Sequence, residues 1–369
     1  MRDVILVTAD SVRYDFIDAM DYVSGFDRHR GITPGHYTRP SLAGLLSASY
    51  RGAIESRAVG PTVASAFSDT GYTTIGLSSS PHTDPRFGFD AGFDAYENYS
   101  DAGNRGNPLR QFASRFDLLR RLYHRVRPPH AKLSNRLPDG ELIDNAVSAF
   151  NDRTGPRFMW LHLMGTHRPY GLGEDAVPRD IDRRALFDPG SLTDAQQATI
   201  EERYRATLSR ADDEIRRLLA EIDSEDPLVV FTSDHGDEFG EEGHYFHQPQ
   251  RRRVADALTT VPVATNGLEL PEPLSLVDVG PTVLGSVGAP GAIPEAWHGR
   301  DVRGEPRNHA LTIAPWNGTA TVAWQDFETK IVSEDANVRL SENGESVGVE
   351  RRDIDEDLKR QMRELGYAE

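Results

Sequence analysis

A small set of polar side chains has the right chemistry for a divalent cation. Asp10 follows a β-branched apolar run, Asp234 and His235 stand side by side after another, and Thr38 opens a short apolar segment. Carboxylate, hydroxyl and imidazole groups suit a hard or borderline cation, which would also activate the Thr38 hydroxyl as a nucleophile. Taken singly, Asp10 could cap a helix and Thr38 could be a plain N-cap. The order of the whole set favours the metal site.

The elements around these residues predict an α/β fold. Apolar runs at residues 3–9, 158–164 and 228–232 indicate buried strands of a parallel sheet, and each is followed closely by one of the polar residues Asp10, His167 and Asp234. Ligands bind at the carboxyl edge of such sheets. Helices are expected at residues 38–49, 61–70, 193–222 and 275–287, and further strands at 72–78 and 261–265. Thr38 is the expected N-cap of the first helix, and His167 could also be an ordinary loop histidine.

The remaining segments show weaker patterns. Residues 81–108, rich in Gly, Asp and Asn, indicate a long loop, whereas residues 109–127 indicate a basic amphipathic helix. That helix could be a solvated face or a subunit contact in an oligomer, or it could contact an anionic surface. Short antiparallel strands are expected at 309–313, 320–324, 329–332 and 338–340, followed by a helix at 354–365. We therefore expect a catalytic domain over residues 1–304 and a small C-terminal antiparallel sheet plus helix over 305–369.

Composition excludes several classes of protein. The 369 residues include 41 basic and 58 acidic side chains, a net charge of −17, which argues against a nucleic-acid-binding protein. Only three of the basic residues are lysines, and an acidic, lysine-poor chain suggests a very salty cytoplasm, although an ordinary acidic enzyme fits too. There is no cysteine for a disulfide or a thiol nucleophile, and no apolar run long enough for a transmembrane segment. A cytoplasmic, halophilic protein is expected.

Several segments, taken in order along the chain, resemble the sulfatase family of the alkaline phosphatase superfamily, of a haloarchaeal type. They are residues 4–13, 38–41, the two Gly-Phe-Asp triplets at 88–90 and 92–94, and residues 160–170, 232–243, 276–284 and 299–301. The resemblance extends over roughly residues 3 to 303. The resemblance implies an alkaline-phosphatase-like fold: a mostly parallel sheet sandwiched by helices, here followed by the small C-terminal antiparallel β subdomain. It also implies a hydrolase acting on ester bonds.

The resemblance assigns roles to individual residues. Asp10, Asp234 and His235 would bind the metal, and Thr38 would be both a metal ligand and the nucleophile. His167 and His244 would be catalytic, holding an ester oxygen or protonating the leaving group. Arg39 and His247 would bind the substrate, with His247 at the position where many sulfatases carry a lysine.

The sequence also departs from the family pattern. Threonine cannot become formylglycine, so no formylglycine is expected at Thr38. Leu42 stands where the family places an arginine, and Ser11 replaces a second aspartate ligand. The family ligands that are present, Asp10, Thr38, Asp234 and His235, resemble the one-metal threonine site of phosphoglycerol and phosphoethanolamine transferases. One divalent cation is expected, and the oxygen-rich ligands favour Ca²⁺, Mg²⁺ or Mn²⁺ over Zn²⁺.

Three functions remain open from the sequence. The first is a metal-dependent hydrolase of sulfate or phosphate esters, small molecules or glycans, that uses Thr38 as nucleophile. The second is a phosphoglycerol- or phosphoethanolamine-type transferase or a phosphodiesterase. The third is a non-catalytic protein that binds an anion or a metal ion at a degenerate site.

Overall fold

The computed structural model describes residues 1–100, 137–171, 173–342 and 345–349. The predicted helices at 109–127 and 354–365 lie outside these residues, so both stay predictions. Within the described ranges, no helix combines the length and the apolar character that crossing a bilayer requires.

The centre of the fold is a sheet of eight strands: β1 Val4–Ala9, β2 Asp27–Ile32, β3 Thr73–Ser78, β4 Ala95–Asn98, β5 Arg157–Leu163, β6 Leu228–Ser233, β7 Thr260–Thr265 and β8 Leu274–Ser275. Their order across the sheet is β4-β3-β5-β1-β6-β7-β2-β8. The first five are mutually parallel, and β7 runs antiparallel to both of its neighbours. The predicted mostly parallel sheet is therefore confirmed.

Helices cover both faces of this sheet: α1 Thr38–Leu46, α2 Tyr50–Glu55, α3 Val63–Asp69, α4 Asp139–Asn151, α5 Arg179–Phe187, α6 Asp194–Glu221, α7 Asp256–Thr259 and α8 Val279–Ser286. Alternate residues of β1 point to opposite faces. Ile5 and Val7 join one core with α4 and α6, and Val4 and Leu6 join the other with α1, α3 and α8. Because β1 is buried on both sides, its sequence is continuously apolar.

Strand register brings the functional residues together. Ala9 at the end of β1 lies opposite Leu163 of β5 on one side and Ser233 of β6 on the other. The next residues along two of these strands, Asp10 and Asp234, therefore leave the sheet at the same edge.

Some elements differ from the sequence-based expectations. β2 was not predicted because its first four residues are polar; Arg28 and Arg30 pair with Asp18 and Glu272 at the surface. β4 lies in the segment expected to be a loop, since a four-residue edge strand carries little apolar pattern. Helices α4 and α5 were not predicted either. The predicted helix at 275–287 instead combines β8, a 3-10 turn at Leu276–Asp278 and α8.

The C-terminal strands are antiparallel, as predicted, but they form two sheets rather than one. β9 Ala310–Trp316, β10 Thr319–Gln325 and β11 Lys330–Ala336 make one sheet, and β12 Arg339–Glu342 pairs with β13 Glu345–Gly348. The first sheet is attached to the loop before α1, because the Ile313 amide donates to the Pro34 carbonyl at 2.9 Å and the Thr312 hydroxyl donates to the Thr33 carbonyl at 2.6 Å. The domain boundary at residue 304 stays a prediction.

A buried ion pair stabilises this attachment. Asp278 accepts hydrogen bonds from Arg307 Nε at 2.5 Å and Nη2 at 2.6 Å, and the pair is almost fully buried. In Arg307→Leu the carboxylate would stay buried without its counter-ion, so we expect the free energy of unfolding to fall by about 3–5 kcal/mol in urea denaturation. The control is Arg300→Leu, which removes an exposed pair with Glu305 and should cost at most about 1 kcal/mol. Equal losses in the two variants would contradict this account.

Candidate metal centre and active site

Asp10 and Asp234 are held in place by the serine between them. Ser11 has a left-handed backbone conformation with φ of 59°, which turns the chain sharply at the end of β1. Its amide donates to Asp234 Oδ1 at 3.0 Å and its hydroxyl donates to Asp10 Oδ1 at 2.5 Å. The residue that replaces a second aspartate ligand thus orients the two carboxylates that are present.

The Thr38 hydroxyl points into the site rather than capping its own helix. Tyr37 is the N-cap of α1, so the predicted N-cap role of Thr38 is wrong. Thr38 Oγ1 lies 3.2 Å from Asp10 Oδ2 and 3.3 Å from His235 Nε2, and the residue is completely buried. As the first residue of α1, Thr38 lies at the positive end of the helix dipole, where an anionic group is favoured.

His235 presents a lone pair to this hydroxyl. Its Nδ1 lies 2.9 Å from the carbonyl oxygen of Gly236, which can only accept, so Nδ1 carries the proton and Nε2 carries the lone pair. Nε2 also lies 3.4 Å from Asp234 Oδ2. The Asp234 carboxylate is fixed by its other oxygen, which accepts from the His235 amide at 2.9 Å.

The donor and acceptor balance of this cluster fits a cation. In the described part of the chain, Asp234 Oδ2 is buried and has no hydrogen-bonding partner. Three acceptor atoms, Asp10 Oδ2, Asp234 Oδ2 and His235 Nε2, surround one hydroxyl of Thr38, which has a single proton to donate. Buried acceptors without donors are costly, and a divalent cation satisfies all of them at once.

Burial and charge also favour a cation here. Burial opposes ionisation of Asp10, but His235, His247 and His162 hold the pKa of its carboxyl below the ordinary value. Burial raises the pKa of Asp234 well above its usual range, and the charge on Asp10 raises it further. Ligand oxygens of Asp10 and Asp234 lie within 4.8 Å of each other. Two carboxylates at this distance remain ionised together only when positive charge lies between them.

Two further histidines border the cluster. His247 is buried, and its ring centroid lies 4.2 Å from that of His235 and 5.2 Å from that of His167. Its Nδ1 lies 2.6 Å from Asp237 Oδ1. His167 Nδ1 donates to the carbonyl oxygen of Arg168, so the lone pair of the neutral ring is on Nε2. The structure therefore brings both predicted residues to the site.

Arg39 is buried beside the site in contact with a histidine that the sequence did not reveal. It donates from Nη2 to His82 Nδ1 at 3.3 Å, and its guanidinium lies 4.1 Å above the ring of Phe87. Because arginine can only donate, neutral His82 carries its proton on Nε2. Burial lowers the pKa of His82 well below its usual value, and Arg39 lowers it further.

His244 is not part of this cluster. It is only partly buried, and its Nδ1 lies 3.3 Å from Nη1 of Arg251 in an exposed contact. Burial and the neighbouring Arg253 and Arg251 lower its pKa. The catalytic role predicted for His244 gains no support from its position, since the chain turns between it and His247.

One buried histidine behind Asp10 also escaped the sequence analysis. His162 Nε2 lies 3.9 Å from Asp10 Oδ2, and its Nδ1 lies 2.9 Å from the hydroxyl of Thr8, its partner in register on β1. Asp10, His162 and Asp234 form one group with metal-binding geometry, and Asp10, His235 and His247 form another. A histidine in the middle of an apolar strand is the sequence signal that could have revealed it.

Comparison with known proteins places the chain in a family. The sequence model named Sulfatase matches residues 2–289. The chain belongs to the sulfatase family. This confirms the predicted family and, at that level, the predicted class of enzyme, hydrolases that act on ester bonds.

Solved structures share the sulfatase fold at low sequence identity. The phosphonate monoester hydrolase of Agrobacterium radiobacter is 16% identical with a TM-score of 0.61, over 91% of this chain and 88% of that chain. A 2-O GAG sulfatase is 13% identical with a TM-score of 0.60, over 90% and 85%. The lipoteichoic acid synthase LtaP of Listeria monocytogenes is 14% identical with a TM-score of 0.58, over 99% and 89%. These similarities confirm the alkaline-phosphatase-like fold.

A curated relative matches part of this sulfatase-family chain. The low-salt glycan biosynthesis sulfotransferase Agl7 of Haloferax volcanii is 28% identical over 139 residues, which are 35% of this chain and 32% of that protein. The matched stretch therefore spans about a third of the relative's length.

Proposed function

We propose that this protein is a metal-dependent hydrolase that passes a sulfuryl or phosphoryl group from an ester to Thr38 and then to water. The observation that carries the proposal is the buried Thr38 hydroxyl at the N-terminus of α1, within 3.3 Å of Asp10 and His235. Asp10, Thr38, Asp234 and His235 would hold one divalent cation. That cation would lower the pKa of the hydroxyl and stabilise charge on the transferred group.

The side chains divide the reaction into two displacements. Thr38 Oγ1 forms a bond to sulfur or phosphorus while the bond to the leaving alcohol oxygen breaks, and the hydroxyl proton passes to Asp10 Oδ2. His167, when protonated at Nε2, gives that proton to the leaving oxygen. A water molecule then attacks the sulfur or phosphorus and gives a proton to His167 Nε2, the bond to Thr38 Oγ1 breaks, and sulfate or phosphate leaves. The proton held by Asp10 returns to Thr38 Oγ1 and restores the hydroxyl. We assign to the guanidinium of Arg39 the role of binding the negatively charged oxygens of the ester.

A second candidate is transfer to a sugar or lipid hydroxyl instead of water. The observations that favour it are the threonine at the nucleophile position and the partial similarity to a glycan biosynthesis sulfotransferase. In this case the acceptor hydroxyl replaces water in the second displacement. The substrates we propose are esters of glycans or small molecules. The similar structures that suggest them are those of a 2-O GAG sulfatase and a phosphonate monoester hydrolase.

One assay separates these functions. The purified protein is tested at high salt with Ca²⁺, Mg²⁺, Mn²⁺ or Zn²⁺ against p-nitrophenyl sulfate, p-nitrophenyl phosphate and a phosphodiester, with and without polyol or glycan acceptors. Sulfate turnover supports a threonine-based sulfatase, and turnover of the phosphate esters alone supports a phosphoryl-transfer enzyme. A rate that rises with acceptor supports the transferase. Metal binding with no turnover of any ester would favour the non-catalytic alternative.

Arg39→Met tests the assignment of the anion-binding cation. We expect kcat/KM to fall by about 10²–10³-fold, because a fixed donor to the transferred group acts mainly in the transition state. The matched control is Arg86→Met, since Arg86 lies 5.1 Å above the same Phe87 ring but is partly exposed and pairs with Asp84. Steady-state kinetics should show the control within about twofold of wild type. A similar loss in both variants would assign the effect to packing around Phe87.

A further inference from the structure

His247, for which substrate binding is predicted from the sequence, lies within reach of the proposed cation ligands. Its ligand nitrogen lies within 4.8 Å of ligand atoms of both Asp10 and His235, and all three residues are buried. Its ring is closer to His235 than to His167, at centroid distances of 4.2 and 5.2 Å. His247 thus lies against the proposed cation site itself.

Two residues behind His247 fix the direction of its lone pair. Asp237 is buried and places Oδ1 2.6 Å from His247 Nδ1. Its other oxygen, Oδ2, accepts a hydrogen bond from the hydroxyl of Tyr170. A carboxylate accepts, so His247 donates from Nδ1 and keeps its lone pair on Nε2. Histidine ligands of metal ions are commonly oriented by a carboxylate in this way.

Tyr170 in turn is held by aromatic packing. It is buried, and its ring makes edge-on contacts with Tyr204 at 5.0 Å, Phe239 at 5.9 Å and Phe246 at 5.9 Å. Among the described residues, the only hydrogen bond of its hydroxyl is the one to Asp237. The hydroxyl therefore acts as a donor and fixes which oxygen of Asp237 remains for His247.

We propose that His247 is a further ligand of the divalent cation, and that Asp237 and Tyr170 are positioning residues that hold its Nε2 lone pair toward Asp10 and His235. This rests on the cation site of the proposed function. A lone pair cannot donate to an ester oxygen, so anion binding falls to Arg39. A second imidazole also moves the ligand set from one suited to Ca²⁺ toward one that binds Mn²⁺ or Zn²⁺.

Mn²⁺ itself is the probe, because its binding is measured without any turnover. Protein labelled with ¹⁵N-histidine and loaded with Mn²⁺ should show couplings to His235 and His247 in pulsed EPR. His247→Leu should lose one imidazole coupling and raise the Kd for Mn²⁺ by about 10–100-fold in calorimetry. Unchanged couplings and Kd in His247→Leu would overturn the proposal, as would a wild-type protein that binds no Mn²⁺.

The positioning roles predict an unusual rescue. In Asp237→Asn the amide oxygen accepts from Tyr170, so the amide nitrogen donates to His247 Nδ1 and moves the proton to Nε2. We expect a Kd for Mn²⁺ raised about 10–100-fold. In the double variant Asp237→Asn/Tyr170→Phe the amide is free to turn its oxygen to His247, so Mn²⁺ binding should recover in part. Additive losses in the double variant would overturn the positioning role.

Controls separate this inference from folding and from the proposed function. Asp212→Asn removes another buried carboxylate, one that accepts from the amides of Tyr22 and Val23 remote from the site, and should leave the Kd for Mn²⁺ unchanged. Tyr170→Phe removes a single oxygen, so it remains informative if Asp237→Asn fails to fold. It should weaken Mn²⁺ binding less than Asp237→Asn does. A two-imidazole Mn²⁺ site in a protein that hydrolyses no ester would support the inference and reject the proposed function.

Discussion

Thr38→Ala is expected to abolish ester turnover, with kcat lowered by about 10⁴-fold or more. The reason is that Thr38 Oγ1 is the attacking atom of the proposed reaction. The residue is completely buried at the start of α1, and its hydroxyl lies within hydrogen-bonding distance of two site residues, Asp10 and His235. Steady-state kinetics on whichever ester the wild type hydrolyses measures the loss.

The matched control is Thr38→Ser, which keeps the hydroxyl and removes only a methyl group. It should retain measurable turnover, whereas the alanine variant should not. Mass spectrometry of a quenched wild-type reaction should find a sulfuryl or phosphoryl group on the peptide that contains Thr38. Turnover of Thr38→Ala at the wild-type rate would reject the nucleophile assignment and leave direct attack by water as the mechanism.

The residues of the site that could be predicted from the sequence are those at the ends of regular elements. Asp10 and Asp234 follow apolar strands, and parallel strands in register deliver them to one edge of the sheet. The start of α6, within the helix predicted at 193–222, is also local, since its capping box joins Thr193 to Gln196 three residues later. These features depend on short stretches of chain, whose pattern is visible in the sequence.

The features that could not be predicted depend on contacts between distant segments. Asp237 accepts from Tyr170, which is 67 residues away, and His162 meets Asp10 only because β5 pairs with β1. The role of Ser11 depends on a backbone φ of 59° as well as on its hydroxyl. Sequence spacing alone does not determine such tertiary contacts, so the functions of His247 and Ser11 become visible only in the structure.

The same limit explains the misplaced cap at α1. A threonine two residues before a proline at the start of an apolar helix favours an N-cap, and local propensity alone offers no other role. In the structure Tyr37 takes the cap position without a side-chain hydrogen bond. The Thr38 hydroxyl is thereby available to Asp10 and His235. Helix α1 therefore lacks a side-chain cap, and the Thr38 hydroxyl serves the site instead. Functional sites commonly break a local structural preference in this way.

Asp234→Asn is expected to abolish tight cation binding and, with it, turnover. Asp234 Oδ2 is buried and has no hydrogen-bonding partner in the described chain, so its charge contributes directly to holding a cation. Excess Mn²⁺ at about 100 times its Kd should stabilise the wild type by about 2.7 kcal/mol. The variant should gain none of this stabilisation. Thermal or urea unfolding with and without Mn²⁺ measures the difference.

The sign of the effect without metal makes this prediction specific. Burial and the charge on Asp10 raise the pKa of Asp234, so the ionised carboxylate destabilises the folded protein when no cation is bound. With a chelator near neutral pH, Asp234→Asn should therefore be at least as stable as the wild type. The control Asp212→Asn should lose stability while keeping its response to Mn²⁺. Each oxygen of the Asp212 carboxylate accepts one backbone amide, and an asparagine side chain has only one oxygen to accept with. If Asp234→Asn responds to Mn²⁺ like the wild type, Asp234 is not a ligand and the cation site must be sought elsewhere.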